Sequence, residues 1–358
     1  MVTIRDVARL AGVSPATVSQ ALNGRGRVHV RTRERVAQAA TKLRYAPNVS
    51  GRRLARRRAE CVAVLQGRNM TTVFNDSFYR VVLGGMAEAT QARGYSLVVA
   101  PTPADAATDA DLNRVLGHGA VDGALVAGAF DARLLLTLQH RGLPMVLVDN
   151  YLPGVDLPAV VPDYQAGARL ATEHLLRLGH RRVAFLGAAV SYPFGRQTLE
   201  GYGEALAARG IGQDPTFIRR TEIEIDAATA ATRSLLALPE PPTALFAVTD
   251  AMAIGALRAA RERGVRVPDG LAVVGMDDIE MSAYTDPPLT TVRVAKDAMG
   301  RFAAEWLIGL IEGEAGGGPA PSLPTELIVR GTCGGPPGKW ALAASGATRP
   351  TIFTREGA

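Results

Sequence analysis

Between Ser14 and Gln20 the chain presents the kinds of side chain that read or cradle DNA. The Gln20 amide can bond adenine in bidentate fashion, or it is a solvated surface group; its type alone leaves both open. Pro15 and Ala16 cannot hydrogen-bond a base through their side chains, yet each can touch a thymine methyl or simply pack. Thr17 completes this outward set. Ser19, Asn23, Arg31, Thr32 and Arg33 supply the hydroxyl, amide and guanidinium groups that grip phosphate, contacts that position without specifying. Charge points the same way. The first 58 residues hold 14 Lys/Arg against Asp6 and Glu34, a net of +12, whereas the other 300 hold 26 basic and 32 acidic side chains, a net of −6. A cationic head on a mildly acidic body fits a phosphate-binding module joined to a separate globular domain.

Three short helices are predicted to position those groups. Thr3 followed by Asp6 makes a capping-box-like start, after which Ile4, Val7, Ala8 and Ala11 share one apolar face until Gly12. Ser14 is a natural N-cap, and Pro15 sits at the first helical position, where its missing N–H costs nothing. Val18, Ala21 and Leu22 form the inner face of the second helix, which Asn23-Gly24 stops. Val36, Ala39, Ala40 and Leu43 repeat the helical spacing. Helix, tight turn, helix and a supporting third helix is the helix-turn-helix arrangement, whose second helix enters the major groove. The following VSGRRLARRR is too basic for a core helix and reads as a linker.

From Cys61 onward apolar strands alternate with amphipathic helices. CVAVL, YSLVVA, GALVA and PMVLVD form one series of buried parallel strands, with helices near 78–93 and 131–140. VAFLG, TALFAV and LAVVGM form a second, with helices near 164–178, 196–209, 227–238 and 251–263. Two such series over about 280 residues exceed one comfortable domain, so two doubly wound parallel-sheet lobes with a cleft between them are expected. Ligands in such sheets bind beyond the carboxyl ends of the strands.

The run VTIRDVARLAGVSPATVSQALNG, followed by VRTRERVAQAATKLRYAPN, closely resembles the head of LacI/GalR-family bacterial transcription regulators. It holds the VAxxAGVSxxTVS core, the Asn after the second helix and a Tyr-x-Pro-Asn exit, here Tyr45 and Asn48. Gln20 stands where many members have Arg, and His29 where a Ser usually caps the third helix. The resemblance implies a hinge helix that forms when two chains sit side by side on DNA. In it Leu54 wedges into the minor groove while Arg52 and Arg53 attract phosphate; on residue type alone Leu54 is an ordinary hydrophobe. Gly51 in place of a helix former weakens that hinge by up to about 1 kcal/mol.

The resemblance runs on to about residue 333, through VDGALVAG, HLLRLGHRRVAFLG, RERGVRVPDGLAVVGMDDI, DPPLTTVRV and LPTELIVRGT. It implies an all-α helix-turn-helix head (1–46), a hinge (47–59) and a two-lobed, periplasmic-binding-protein-like α/β body (60–333) that binds effector and dimerises. The N-lobe then takes about 60–160 plus 290–320 and the C-lobe about 161–288 plus 325–333, with chain crossings near 158–163, 286–292 and 318–326. Residues 334–358, rich in Gly, Pro and Ala, read as a disordered tail without a heptad repeat, so a homodimer is expected. Matched residue by residue, the effector site falls on Phe78, Tyr79, Asp163, Tyr164, Arg196, Thr249, Asp250 and Asp277. Asp277 is the carboxylate that accepts paired hydrogen bonds from a diol. Phe78 is equally a core aromatic, and Asp163 and Asp250 are equally helix N-caps. Thr198 stands where many sugar-responsive members have Arg, three residues before Gly201. Either Arg196 reaches the ligand instead, or the site lacks that clamp.

Cys61 and Cys333 sit in no metal or redox spacing, and no leader-like segment or long apolar span appears, which fits a cytoplasmic protein. No Walker loop, GxGxxG after a strand, HExxH or GxSxG is present, so no catalytic residue, metal or cofactor is expected. His118, His140, His174 and His180 are scattered. The expected function is repression at a palindromic operator under control of a small effector, a sugar or its derivative, that either releases or tightens DNA binding. An enzyme on the same body would need a base and a phosphate loop, a transport binding protein would need an export signal, and an architectural protein would bind DNA without sequence preference. If the hinge orders on DNA, amide exchange over residues 48–57 slows when operator is added; an unchanged pattern would refute it.

Overall fold

The computed structural model describes residues 2–22, 28–45, 58–66, 76–101, 116–117, 120–128, 130, 132–151, 157–188, 193–314 and 323–334. The contacts divide the chain into two units, Met1–Ala59 and Glu60–Ala358.

Among its described residues the first unit holds three helices, α1 (Ile4–Ala11), α2 (Pro15–Leu22) and α3 (Val30–Lys42). Asp6 accepts from the Thr3 backbone N–H at 3.0 Å and from its hydroxyl at 2.7 Å, which anchors the first turn of α1. Gly12 ends that helix at φ 64°, a left-handed conformation that glycine adopts without a Cβ penalty. Ser14 Oγ accepts from the Thr17 N–H at 3.1 Å and so caps α2. His29, in place of the usual serine, caps α3 by accepting from the Arg31 N–H at 3.4 Å. Val7, Val18 and Val36, each wholly buried with small alanines around them, close the three-helix core. Each contributes about 1.5–3 kcal/mol.

The second unit holds two sheets. In the N-lobe the order is β2-β1-β3-β4-β5, all parallel: β1 (Cys61–Gln66), β2 (Ser96–Pro101), β3 (Gly123–Ala127), β4 (Met145–Val148) and β5 (Ala159–Val160). The C-lobe sheet runs β11-β10-β9-β8-β6-β7, with β6 (Val183–Gly187), β7 (Ile218–Arg220), β8 (Ala244–Ala247), β9 (Ala272–Asp277), β10 (Thr290–Val294) and β11 (Thr325–Ile328). Only β11 is antiparallel. Helices α4 (Ser77–Ala92), α5 (Ala132–His140) and α10 (Lys296–Glu312) belong to the N-lobe, and α6 (Tyr164–Arg177), α7 (Pro193–Ala207), α8 (Ile225–Leu235) and α9 (Asp250–Glu262) to the C-lobe.

One expected boundary is corrected. Residues 290–294 were expected in the N-lobe, but Thr290 pairs with Val274 and Thr291 with Ile328, which places β10 inside the C-lobe sheet. The second crossing therefore falls between Val294 and Lys296, not at 286–292. The physical reason is the TTVRV pattern: Thr290, Thr291, Val292 and Val294 are all buried, as a strand covered on both faces requires. The expected hinge and tail, and much of the third crossing, lie outside the described residues.

Helix crossings at glycine fix both lobes. A Cβ on Gly85 of α4 would collide with the Asp297 carbonyl of α10, and one on Gly300 of α10 with the Val82 carbonyl of α4. The C-lobe uses the same device, since a Cβ on Gly201 of α7 would collide with the Gln165 carbonyl of α6. Backbones in contact set the helix N-termini, and those termini carry the cleft. Gly300→Val is expected to force α4 and α10 apart at a cost of about 1–3 kcal/mol, read as a lower thermal midpoint.

Candidate functional site

In the first unit Pro15, Ala16 and Gln20 are exposed on one face of α2, opposite the buried Val18 and Ala21. Thr17 is half-buried and its hydroxyl lies 2.9 Å from that of the capping Ser14, while Ser19 is also half-buried. Arg31 and Arg33 are exposed at the start of α3, and the Thr32 N–H closes the first turn onto the His29 carbonyl at 2.9 Å. Tyr45 packs against the head core, its N–H bonded to the Ala40 carbonyl at 2.8 Å. The short, protruding start of α2 beside exposed guanidinium groups is a shape and charge suited to a duplex groove. Asn23, Asn48, Arg52, Arg53 and Leu54 lie outside the described residues.

In the second unit the carboxyl ends of the strands face one another across a cleft. Asp149 follows β4 with φ 62°, a conformation rare for a residue with a side chain and costly without support. Its carboxylate accepts from the Tyr79 hydroxyl at 2.8 Å and from the Tyr164 hydroxyl in a short bond. Tyr79 comes from α4 of the N-lobe and Tyr164 from the first turn of α6 in the C-lobe, so one carboxylate joins both lobes. Burial pushes the Asp149 carboxyl up to about 6, against the pull of the two hydroxyls. Burial together with the Asp149 charge likewise holds the Tyr164 phenol well above its ordinary value. Phe78 stands edge-on to Tyr79 at 5.3 Å, and Phe194, at the start of α7, lies 5.7 Å from the Tyr164 ring.

Asp277 ends β9 with φ 120° and is 8% exposed. Its carboxyl is held well above the usual range, by burial first and then by the nearby charge of Asp250, while the Lys296 ammonium acts in the opposite sense. Lys296 opens α10, lies 6.0 Å from the centre of the Phe78 ring, and donates to the carbonyls of Asp277 and Asp278, the latter at 3.1 Å. An N-lobe helix thereby holds the end of a C-lobe strand. Burial pushes its ammonium down, and the Asp277 charge works the other way. Asp278 in turn accepts from Arg330 at 2.6 Å and Arg293 at 2.8 Å, pinning the crossing.

The remaining expected residues fall in different places. Asp250 is wholly buried: it accepts from the Thr291 hydroxyl at 2.5 Å, the Ser282 hydroxyl at 2.6 Å and the Ile279 N–H at 2.8 Å. Those bonds give it a framework role at the base of the β9 turn. Thr249 caps α9 by accepting from the Met252 N–H at 3.2 Å, and exposed Asp163 caps α6 by accepting from the Ala166 N–H at 2.8 Å. Thr198 is buried and bonds the Phe194 carbonyl of its own helix at 2.8 Å. Arg196 is exposed at the rim and donates to the Tyr151 hydroxyl at 3.0 Å across the cleft. Opposite it, Arg80 of α4 pairs with Glu280 of the C-lobe at 3.1 Å. Asp149 and Lys296 were missed from sequence. The aspartate closing PMVLVD was the only local sign of the first, and none marked the second.

Asp149 makes a pH test. A carboxyl with a raised folded-state pKa binds its proton more tightly when folded, so its contribution to stability is present at low pH and is lost as pH rises from about 4 through about 6. Asp149→Asn does not titrate, so between pH 4.5 and 7.5 it should lose about 2 kcal/mol less than the parent in chemical denaturation. Equal losses would contradict the assignment.

Comparison with known proteins follows the same division. Residues 3–48 match the model for bacterial regulatory proteins of the lacI family, and residues 172–333 match a periplasmic binding protein-like domain. The HTH-type transcriptional repressor CytR of Escherichia coli (strain K12) is 32% identical over 334 residues, 92% of this chain and 96% of its own length. A solved transcriptional regulator CelR–cellobiose complex is 34% identical with a TM-score of 0.71, covering 93% of this chain and 100% of that one. A Lac repressor dimer bound to operator and the anti-inducer ONPF is 28% identical with a TM-score of 0.80, covering 93% and 99%.

Proposed function

The chain belongs to the LacI family of bacterial regulatory proteins, and from that premise we propose that it is a sequence-specific transcriptional repressor whose hold on operator DNA is set by a small molecule in the cleft. The observation that carries this reading is the pairing, in one chain, of an exposed α2 face on a head of net +12 with a carboxylate-lined cleft closed between two lobes. Pro15, Ala16, Thr17 and Gln20 would read base edges, and Ser19, Arg31 and Arg33 would hold phosphate. A second copy would bind the other half of a palindrome, as the Lac repressor dimer sits on its operator. The segment 47–59 would join head to body.

The effector is a sugar or its derivative. Asp149 and Asp277 offer acceptors for hydroxyl groups, while Phe78, Tyr79, Tyr164 and Phe194 offer faces for a ring. The CelR relative holds cellobiose in its complex. The ligand acts by differential affinity for two arrangements of the lobes, which the interlobe bonds of Tyr164, Lys296, Arg80 and Arg196 distinguish. No residue placed here needs a catalytic step, a metal or a cofactor, and we read the protein as a cytoplasmic regulator rather than an enzyme. Among the described residues no helix is long and apolar enough to cross a membrane.

Selection from random duplexes should enrich an inverted repeat of roughly 14–20 bp. On that site Gln20→Ala should cost about 1–3 kcal/mol in binding while leaving affinity for unrelated DNA nearly unchanged. Equal weakening on both DNAs would remove Gln20 from base reading, and enrichment of no sequence would overturn the repressor reading.

A further inference from the structure

The first 58 residues contain one histidine, His29, and the other four, His118, His140, His174 and His180, belong to the body. Histidine is the side chain whose charge ordinarily changes between pH 5 and 8, whereas Lys, Arg, Asp and Glu keep theirs. His29 also holds a defined place in the fold. Its carbonyl accepts from the Thr32 and Arg33 N–H groups at 2.9 and 3.0 Å, and its Nδ1 accepts from the Arg31 N–H at 3.4 Å. The turn so anchored carries the Arg31, Thr32 and Arg33 side chains read above as phosphate contacts. Nδ1 accepts only while it carries no proton, so the neutral ring has its N–H at Nε2, on an exposed side chain.

The free head resists a second proton on this ring. A protonated Nδ1 gives up the cap, and the imidazolium then stands at the positive end of a helix dipole. Helix α3 offers Arg31, Arg33, Arg35 and Lys42 against Glu34, and α2 carries no charged residue. On α1, Arg5 and Arg9 stand beside an Asp6 already engaged by Thr3 and Arg9. Arg25 and Arg27 lie outside the described residues. Phosphate reverses the balance. A phosphate oxygen accepts from the Nε2–H of the neutral ring, and more strongly from an imidazolium.

We propose that His29 is a phosphate-contacting residue that takes up a proton as DNA binds, so that the head holds its operator more tightly as pH falls. The role rests on the reading of the head as an operator binder and adds a proton to what that binding requires. Linkage fixes the sign. A site that gains a proton when DNA arrives must bind DNA better where protons are plentiful, by the same factor. A serine at this position, usual in the resembling family, supplies the cap without the proton.

The test is binding of the full chain to the inverted repeat enriched from random duplexes, at one ionic strength, between about pH 5.5 and 8.5. Parent and His29→Ser are compared. Serine keeps a hydroxyl acceptor for the Arg31 N–H, and the α-amino group and the body histidines are common to both. From the alkaline to the acid end the parent is expected to tighten roughly tenfold, about threefold for each of two heads. His29→Ser should tighten less than about threefold in all, and at the alkaline end the two should bind alike. Equal slopes overturn the proposal, because the proton then goes elsewhere. A parent that loosens or does not change on acidification overturns it too, as does a His29→Ser that binds far more weakly at the alkaline end. If selection enriches no sequence, the operator reading fails by itself. The same comparison on a random duplex then still decides the role of His29, since a phosphate contact does not depend on sequence.

Discussion

A carboxylate placed between two lobes must be held by both, and Asp149 is held by a tyrosine hydroxyl from each. Parallel strands bring this about, because they deliver their carboxyl ends, and the residues just after them, to one edge of each sheet. Asp149 leaves β4 in a left-handed conformation that turns its side chain into that edge. Burial then disfavours its charge, and the two hydroxyls recover part of what water would have given. Asp149 thus joins the lobes directly, beside the interlobe contacts of Lys296, Arg80 and Arg196.

What surrounds that group follows from backbone packing. The crossing of α4 and α10 at Gly85 and Gly300 brings Phe78 and Lys296 together, and the crossing of α6 and α7 at Gly201 brings Tyr164 and Phe194 together. The Lys296 ammonium then reaches from an N-lobe helix to the carbonyls at the end of a C-lobe strand. Movement between the lobes would exchange these polar contacts for others with water, a change of the size that a ligand's differential affinity can drive.

The head was legible from sequence because its determinants are local. The Thr3–Asp6 start, the Gly12 stop, the Ser14 cap and the apolar spacing of Val7, Val18 and Val36 all act within a few residues. The strand–helix alternation of the body was legible too, since buried parallel strands are short apolar runs. Three kinds of information were not local. Strand β10 looks like a link to the other lobe until its register with β9 and β11 is seen. Asp250 and Asp277 are both plausible ligands by type, yet only the fold shows that Asp250 is enclosed by Thr291, Ser282 and the Ile279 N–H. Asp149 and Lys296 are far apart in sequence, and only the packed lobes bring them to the interlobe contacts.

The central claim is that this head recognises a particular DNA site and that the body governs the recognition. Footprinting on the DNA upstream of the protein's own gene, at two salt concentrations, tests the first half directly. The account predicts a protected inverted repeat whose affinity falls steeply as salt rises, because a head of net +12 must release counterions when it binds phosphate. Salt-sensitive coverage with no preferred site would contradict it, leaving a cationic head that grips DNA without reading it.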